Sequence, residues 1–174
     1  MKLENLNIVK SFKIRGALNA ILNLDLKKVK GVITASAGNH AQGVAYSASK
    51  VGYKSIIVMP NTAPIAKINA TKGFGGTVVA DKCSSFDECN IYAQEQAKAL
   101  NYTFVPPYDS EDVIAGQATI GLEMMQQVPD LDIVIAQIGG GGLAAGIASA
   151  VKQINPKVKV IGVQSENFPA MVKS

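Results

Sequence analysis

The spacing of apolar positions changes repeatedly along the chain. Ile14, Ala17, Leu18, Ile21 and Leu22 recur three and four residues apart, which predicts a helix with one buried face, and Ser11 is placed to cap its start. The run 31–35 (GVITA) then reads as a strand, followed by a helix from about Asn39 through Ala41, Val44, Ala45 and Ala48 that stops near Gly52. Residues 55–59 (SIIVM) form the next expected strand, ended by Pro60. A helix over about 64–72 follows, with Pro64 suited to its first position, and then a strand at 76–80 (GTVVA). Ser85-Phe-Asp-Glu88 has the form of a capping box and opens a helix running towards Leu100. A short strand at 103–105 precedes the break Pro106-Pro107. Beyond it come a helix over about 112–127, a strand at 132–138, a helix near 143–154 and a strand at 158–163.

These strands are near-continuously apolar rather than alternating, and helices separate them. That pattern predicts an α/β fold of parallel sheets covered by helices. No internal repeat or low-complexity stretch interrupts it. The two prolines mark a domain crossing, leaving a small four-stranded domain over 31–105 and a partial second domain built from 1–30 and 106–174. The second unit has only two clear strands, thin for a covered parallel sheet. The chain also opens on a helix with no strand before it and stops just after a strand, so the fold is expected to be truncated at both ends.

Composition narrows the function classes. A length of 174 residues, 48% of them hydrophobic, supports one domain with a sizeable core or two small ones. Lys and Arg exceed Asp and Glu by 17 to 13, a net charge of +4, without a dense basic run interleaved with aromatics, which argues against a nucleic-acid partner. No apolar run is long enough to cross a bilayer, and residues 1–10 are too mixed and charged for a signal peptide. Cys83 and Cys89 fall six apart in one expected helix, and His40 is the only histidine, so no zinc set and no other metal site is expected. Free thiols in a reducing compartment fit this pattern, and the reading is a cytoplasmic protein.

The strongest chemical signal is Ile138–Gly146 (IGGGGLAAG), four glycines between a strand and a helix. Without Cβ atoms the backbone can turn sharply and bring its N–H groups to a ligand, and a helix N-terminus favours an anion such as phosphate. A row of glycines costs entropy and offers no packing return, which weakens the alternative of a plain turn. Which phosphate stays open: Gly140, Gly142 and Ala145 match a dinucleotide pattern with Glu166 at a suitable distance, whereas no lysine follows to make a P-loop.

Residues 34–43 (TASAGNHAQG) give a second strand–turn–helix junction with small side chains, fit for a carboxylate, and Asn39 adds an amide donor. Capping by Ser36 or Asn39 alone is the competing reading, and His40 is read as a helix-start residue rather than a base. The first turn of the first helix carries Lys13 and Arg15, and there the dipole and the flanking Phe12 and Ile14 disfavour an ammonium at Lys13. A neutral amine is a nucleophile for carbonyl chemistry, and a lysine with a phosphate site is what a pyridoxal phosphate enzyme needs.

The motifs SFKIRGA, SAGNHAQGVA, VIAGQATIGLE and GGGGLAAGI, in this order and spacing, resemble the fold-type II pyridoxal phosphate enzymes (tryptophan synthase β-like), over essentially the whole chain. The likeness is to threonine ammonia-lyases (threonine dehydratases), serine dehydratases and serine racemases. The resemblance implies that Lys13 holds the cofactor covalently and serves as the base, that Phe12 packs beside the ring and that Asn39 bonds its phenolic oxygen. It implies that Gly139, Gly140, Gly141, Gly142 and Leu143 bind the phosphate, and that Ser36, Ala37, Gly38, Asn39 and His40 close on the carboxylate of an amino-acid substrate. Arg15 is assigned to the fold or to an unidentified carboxylate. The implied reaction is β-elimination from L-threonine or L-serine to a 2-oxo acid and ammonia, within amino-acid metabolism such as isoleucine biosynthesis, by a homo-oligomer (dimer or tetramer). The family pattern carries Thr-Gly at Val9-Lys10, glycine at Ala118 and histidine at Pro106.

Other readings are a racemase that reprotonates the same carbanion, a nicotinamide-dependent oxidoreductase using the Gly140 pattern, and a non-catalytic truncated scaffold. The oxidoreductase reading leaves SFKIRGA and SAGNH unexplained.

Overall fold

A computed structural model of the chain describes residues 1–25 and 27–174. It is α/β, with two parallel sheets and flanking helices, as the alternating pattern predicts. The chain divides into two compact units, residues 3–107 and residues 1–2 with 108–174.

The first unit is built on β1 (Gly31–Ala35), β2 (Lys54–Val58), β3 (Thr77–Val79) and β4 (Thr103–Phe104), all parallel, in the order β3-β2-β1-β4. β1 is buried at all five positions, as a central strand covered on both faces must be. Its helices are α1 (Lys13–Leu22), α2 (Asn39–Val51), α3 (Ile65–Gly73) and α4 (Phe86–Leu100). Both α2 and α4 pack on β1, and one side of the core gathers Ile33, Ala35, Val58, Cys83, Cys89, Ala93 and Ala97. Ser85 caps α4 through the reciprocal Ser85–Glu88 bonds expected of its sequence.

Several expectations are corrected. Ser11 does not cap α1: Phe12 holds that position without a side-chain bond, and the buried Ser11 hydroxyl has no partner among the described residues. The thiols are not free. Cys83 lies before the cap of α4 and Cys89 in its first turns, so they do not share a helix, and the loop brings them together as a disulfide with Cα atoms 5.1 Å apart. Helix α1, which the sequence groups with 106–174, runs against α2. Gly43 permits that approach: a Cβ there would stand 3.2 Å from the Lys13 carbonyl carbon.

The second unit holds α5 (Glu111–Gln127), β5 (Ile133–Gln137), α6 (Gly142–Ile154) and β6 (Lys159–Val163), with β5 and β6 parallel. α5 and α6 close tightly at Gly146, where a Cβ would meet the Ile114 carbonyl at 2.6 Å and the Ala118 amide at 2.8 Å. Along β5, Val134 and Ala136 are buried while Ile133 and Ile135 are exposed, so only one face of this sheet is covered among the described residues.

Candidate functional site

In the four-stranded sheet the chain first moves outward from β1 to β2 and β3, then returns to place β4 on the other side of β1. Loops leaving the carboxyl ends of β1 and β4 therefore diverge, and such a switch point is where parallel sheets open a crevice for ligands. Residues 36–38 leave β1 there, and residues 105–107 leave β4.

Both loops are tied to the chemical residues. The Lys13 ammonium donates to the carbonyl of Pro107 and lies 5.4 Å from the centre of the Phe12 ring. Burial lowers the Lys13 pKa below the usual lysine value. His40 is buried, with Nε2 3.0 Å from the Val105 carbonyl. A carbonyl only accepts, so Nε2 carries the proton and Nδ1 is a bare acceptor, buried with no partner among the described residues. Burial, aided by the charge of Lys13 and opposed by the Val105 bond, pushes the His40 pKa down to about 4. The imidazole is therefore neutral at physiological pH.

The 36–38 turn braces itself. The Gly38 amide donates to Ser36 Oγ at 3.2 Å, and the Ser36 amide donates to the Val58 carbonyl at 3.0 Å. Gly38 occupies the cap position of α2 and no side chain caps it, so neither Ser36 nor Asn39 is spent on capping. Asn39 is exposed, with its amide available to a ligand. Lys13, Phe12 and residues 36–40 are thus held within one unit.

Gly139–Leu143 belong to the other unit. Gly141 has φ +88°, the left-handed region that favours glycine, and no side chain caps α6 after it. A Cβ on Gly139 would meet no atom within 4 Å, so that side of the turn is open. Gly140 and Gly142, by contrast, do have a packing role, contrary to the sequence expectation. A Cβ on Gly140 would lie 2.4 Å from the Tyr108 ring, and one on Gly142 would lie 2.6 Å from the Tyr108 carbonyl. Open amides at a helix start fit a phosphate, and a desolvated lysine amine fits an aldehyde, so the residues present suit pyridoxal phosphate.

Nothing in the sequence marks the Val105 and Pro107 carbonyls or Tyr108 for these contacts, because the prolines there read as a break in the chain. Nor does anything mark Glu4, which accepts from Arg15 Nε at 2.7 Å and from Nη2 at 2.9 Å and so supplies the unidentified carboxylate. Neither residue class gives a local signal, because backbone carbonyls and an ion pair eleven residues apart become chemistry only through the fold. Among the described residues, no group of three or more His, Cys, Asp or Glu side chains gathers to hold a metal, and no helix is long and apolar enough to cross a membrane.

A family model described as "Pyridoxal-phosphate dependent enzyme" matches residues 1–174. A catabolic L-threonine dehydratase, TdcB, of Staphylococcus aureus strain N315 is 53% identical over 175 residues, covering 100% of this chain and 50% of the relative. The processed form of threonine deaminase isoform 2 from Solanum lycopersicum superposes with a TM-score of 0.94 at 45% identity, covering 98% of this chain and 47% of that one. Maize serine racemase superposes with a TM-score of 0.95 at 35% identity, covering 99% and 53%. The chain spans about half the length of the curated relatives it matches.

Proposed function

Since the chain belongs to the pyridoxal-phosphate dependent enzyme family, we propose that it serves the elimination of the β-hydroxyl from L-threonine or L-serine, releasing a 2-oxo acid and ammonia. The observation that carries this reading is Lys13: a desolvated amine, held beside Phe12 by a backbone carbonyl, at a strand-order switch point. Threonine is the first substrate to test because of the 53% identity to an L-threonine dehydratase.

When bound, pyridoxal phosphate supplies an electron sink that stabilises negative charge at the substrate Cα. This chain's residues do the rest. The Lys13 amine would hold the cofactor covalently, and its Nζ would take the substrate Cα proton. Its lowered pKa raises the neutral fraction needed for both tasks. Phe12 lies beside the partly buried amine, its ring centre 5.4 Å away. The Asn39 side-chain amide would donate to the ring oxygen. The amides of Gly139, Gly140, Gly141, Gly142 and Leu143 would hold the phosphate. The substrate carboxylate is received by the braced turn of Ser36, Ala37 and Gly38 and by the amides of Asn39 and His40, which no side chain caps. His40 stays neutral and anchors the start of α2 to Val105.

Borohydride treatment after addition of pyridoxal phosphate should leave a reduced adduct on Lys13 by peptide mapping, and Lys13→Ala should lose it. An adduct spread over surface lysines with none at Lys13 removes the assignment. Release of 2-oxobutanoate from L-threonine tests the reaction. Conversion of L-serine to D-serine without 2-oxo acid would favour the racemase reading, which the fit to maize serine racemase supports. A cytoplasmic homo-oligomer is part of the same proposal. Alkylation of protein from freshly lysed cells reads whether Cys83 and Cys89 are reduced there, as a reducing compartment requires.

A further inference from the structure

We infer that Tyr108 is a positioning residue for the glycine turn, setting the backbone that presents its amides; the inference rests on the reading that this turn receives the cofactor phosphate. Tyr108 lies in the loop before α5 and meets the turn at two places. Its ring fills the space that a Cβ on Gly140 would need, at 2.4 Å from two ring carbons and 2.6 Å from a third. Its main chain fills the space beside Gly142, with its carbonyl oxygen 2.6 Å and its Cα 3.0 Å from a Cβ placed there.

Gly140 and Gly142 flank Gly141, whose left-handed φ of +88° swings the chain into α6. Two glycines packed on one residue, on either side of a third that turns, leave the turn little freedom. Gly139, just ahead of this contact, has nothing near its Cβ position and faces open space. The turn therefore has one side pressed on Tyr108, a Met171 methyl 3.1 Å from a Cβ placed on Gly141, and open space at Gly139. Four glycines in a row would otherwise sample many conformations, and a phosphate would have to order them on binding at an entropic cost. A turn already shaped by an aromatic ring avoids that cost. The tyrosine acts through the backbone of the glycines, so the phenylalanine variant should preserve its effect, and removal of the ring should not.

The test compares pyridoxal phosphate with pyridoxal, which lacks the phosphate, by titrating borohydride-trapped adduct at Lys13. The wild-type protein is expected to prefer the phosphorylated form. Tyr108→Ala is expected to cut that preference by at least about tenfold, leaving pyridoxal binding unchanged, and Tyr108→Phe to retain it. Gly140→Ala should lose the preference too, and the Tyr108→Ala/Gly140→Ala pair should be no worse than either single change, since both break one contact. Additive losses overturn the inference, as does an undiminished preference in Tyr108→Ala. Should Tyr108→Ala fail to fold, Gly140→Ala alone reads the contact from the other side: loss of preference supports it and retention overturns it. A wild-type protein with no preference at all instead removes the phosphate reading of the turn, so the two failures are distinct.

Discussion

The amide of Lys10 donates to the carbonyl of Asn7 at 3.0 Å, and Lys10 takes a φ of 58°. The Asn7 side chain completes this turn: Oδ1 accepts from the amides of Val9 and Ser11, each at 3.2 Å, and Nδ2 donates to the Ser11 carbonyl at 2.7 Å. Left-handed backbone at a residue with a Cβ costs about 1 kcal/mol. Lys10→Gly relieves it, partly offset by the greater freedom of glycine in the unfolded chain, for a net gain of roughly 0.5 kcal/mol. Asn7→Ala strips three bonds from a turn that leads directly into Lys13, and should destabilise by about 1–2 kcal/mol. Urea unfolding of both variants checks the opposite signs. The family pattern noted in the sequence has glycine at this position, and the backbone gives the physical reason.

Stability should depend on pH through His40. Its folded pKa of about 4 lies below the usual histidine value of 6.5. Between these values the unfolded chain binds a proton that the folded chain refuses. The contribution is fully present above pH 6.5 and is lost as pH falls towards 4, by about 3 kcal/mol. His40→Gln can still donate to the Val105 carbonyl but does not titrate, so it should lack this part of the slope. Equal slopes for wild type and variant in unfolding free energy between pH 7 and 4.5 would contradict the argument.

Much of the fold was legible because its signals are local. The buried run of β1, the Ser85–Glu88 box and the stop at Gly52 each depend on residues close in sequence. The desolvation of Lys13 was legible for the same reason, as a lysine flanked by Phe12 and Ile14 at a helix start. What escaped was made by distant chain: the Pro107 carbonyl that holds the amine, ninety-four residues away, and Glu4 on the guanidinium. The glycine turn was half legible. Periodicity places it between a strand and a helix, but only the fold shows that Tyr108, from another loop, occupies the side chains' place at Gly140 and Gly142.

The Cys83–Cys89 bridge closes a short loop that leads into α4, and both sulfurs are buried in the core with Ile33 and Val58. Constraining so short a loop in the unfolded chain is worth about 2 kcal/mol. The double substitution Cys83→Ser/Cys89→Ser also buries two hydroxyls in apolar surroundings, so Cys83→Ala/Cys89→Ala is the cleaner variant. Its unfolding free energy should fall by about 2 kcal/mol, and dithiothreitol should lower that of the wild type while leaving the variant unchanged. A wild-type protein insensitive to reductant, with two alkylatable thiols after unfolding, would show that the bridge is not formed in solution.

Arg15 and Glu4 explain why a second cation sits in the first turn of α1, at the end of the dipole that disfavours it. The guanidinium grips the carboxylate through two nitrogens, and both side chains are only about one-fifth exposed, at 21% and 19%. A bidentate pair in this partly buried setting outweighs the dipole penalty, and it ties the 3-10 turn Glu4–Leu6 to the helix that carries Lys13. Removing one partner leaves the other charge poorly solvated, so Glu4→Ala should cost about 1–3 kcal/mol. Arg15→Lys keeps the charge but loses the fork, and should recover only part of the coupling. The exchange Glu4→Arg/Arg15→Glu should be more stable than the sum of its single substitutions predicts, with a coupling of about 1 kcal/mol or more. Because Arg15 follows Lys13 by two residues in the same helical turn, Glu4→Ala should also slow trapping of pyridoxal at Lys13 under borohydride. Unchanged trapping with lowered stability would confine the pair to holding the fold.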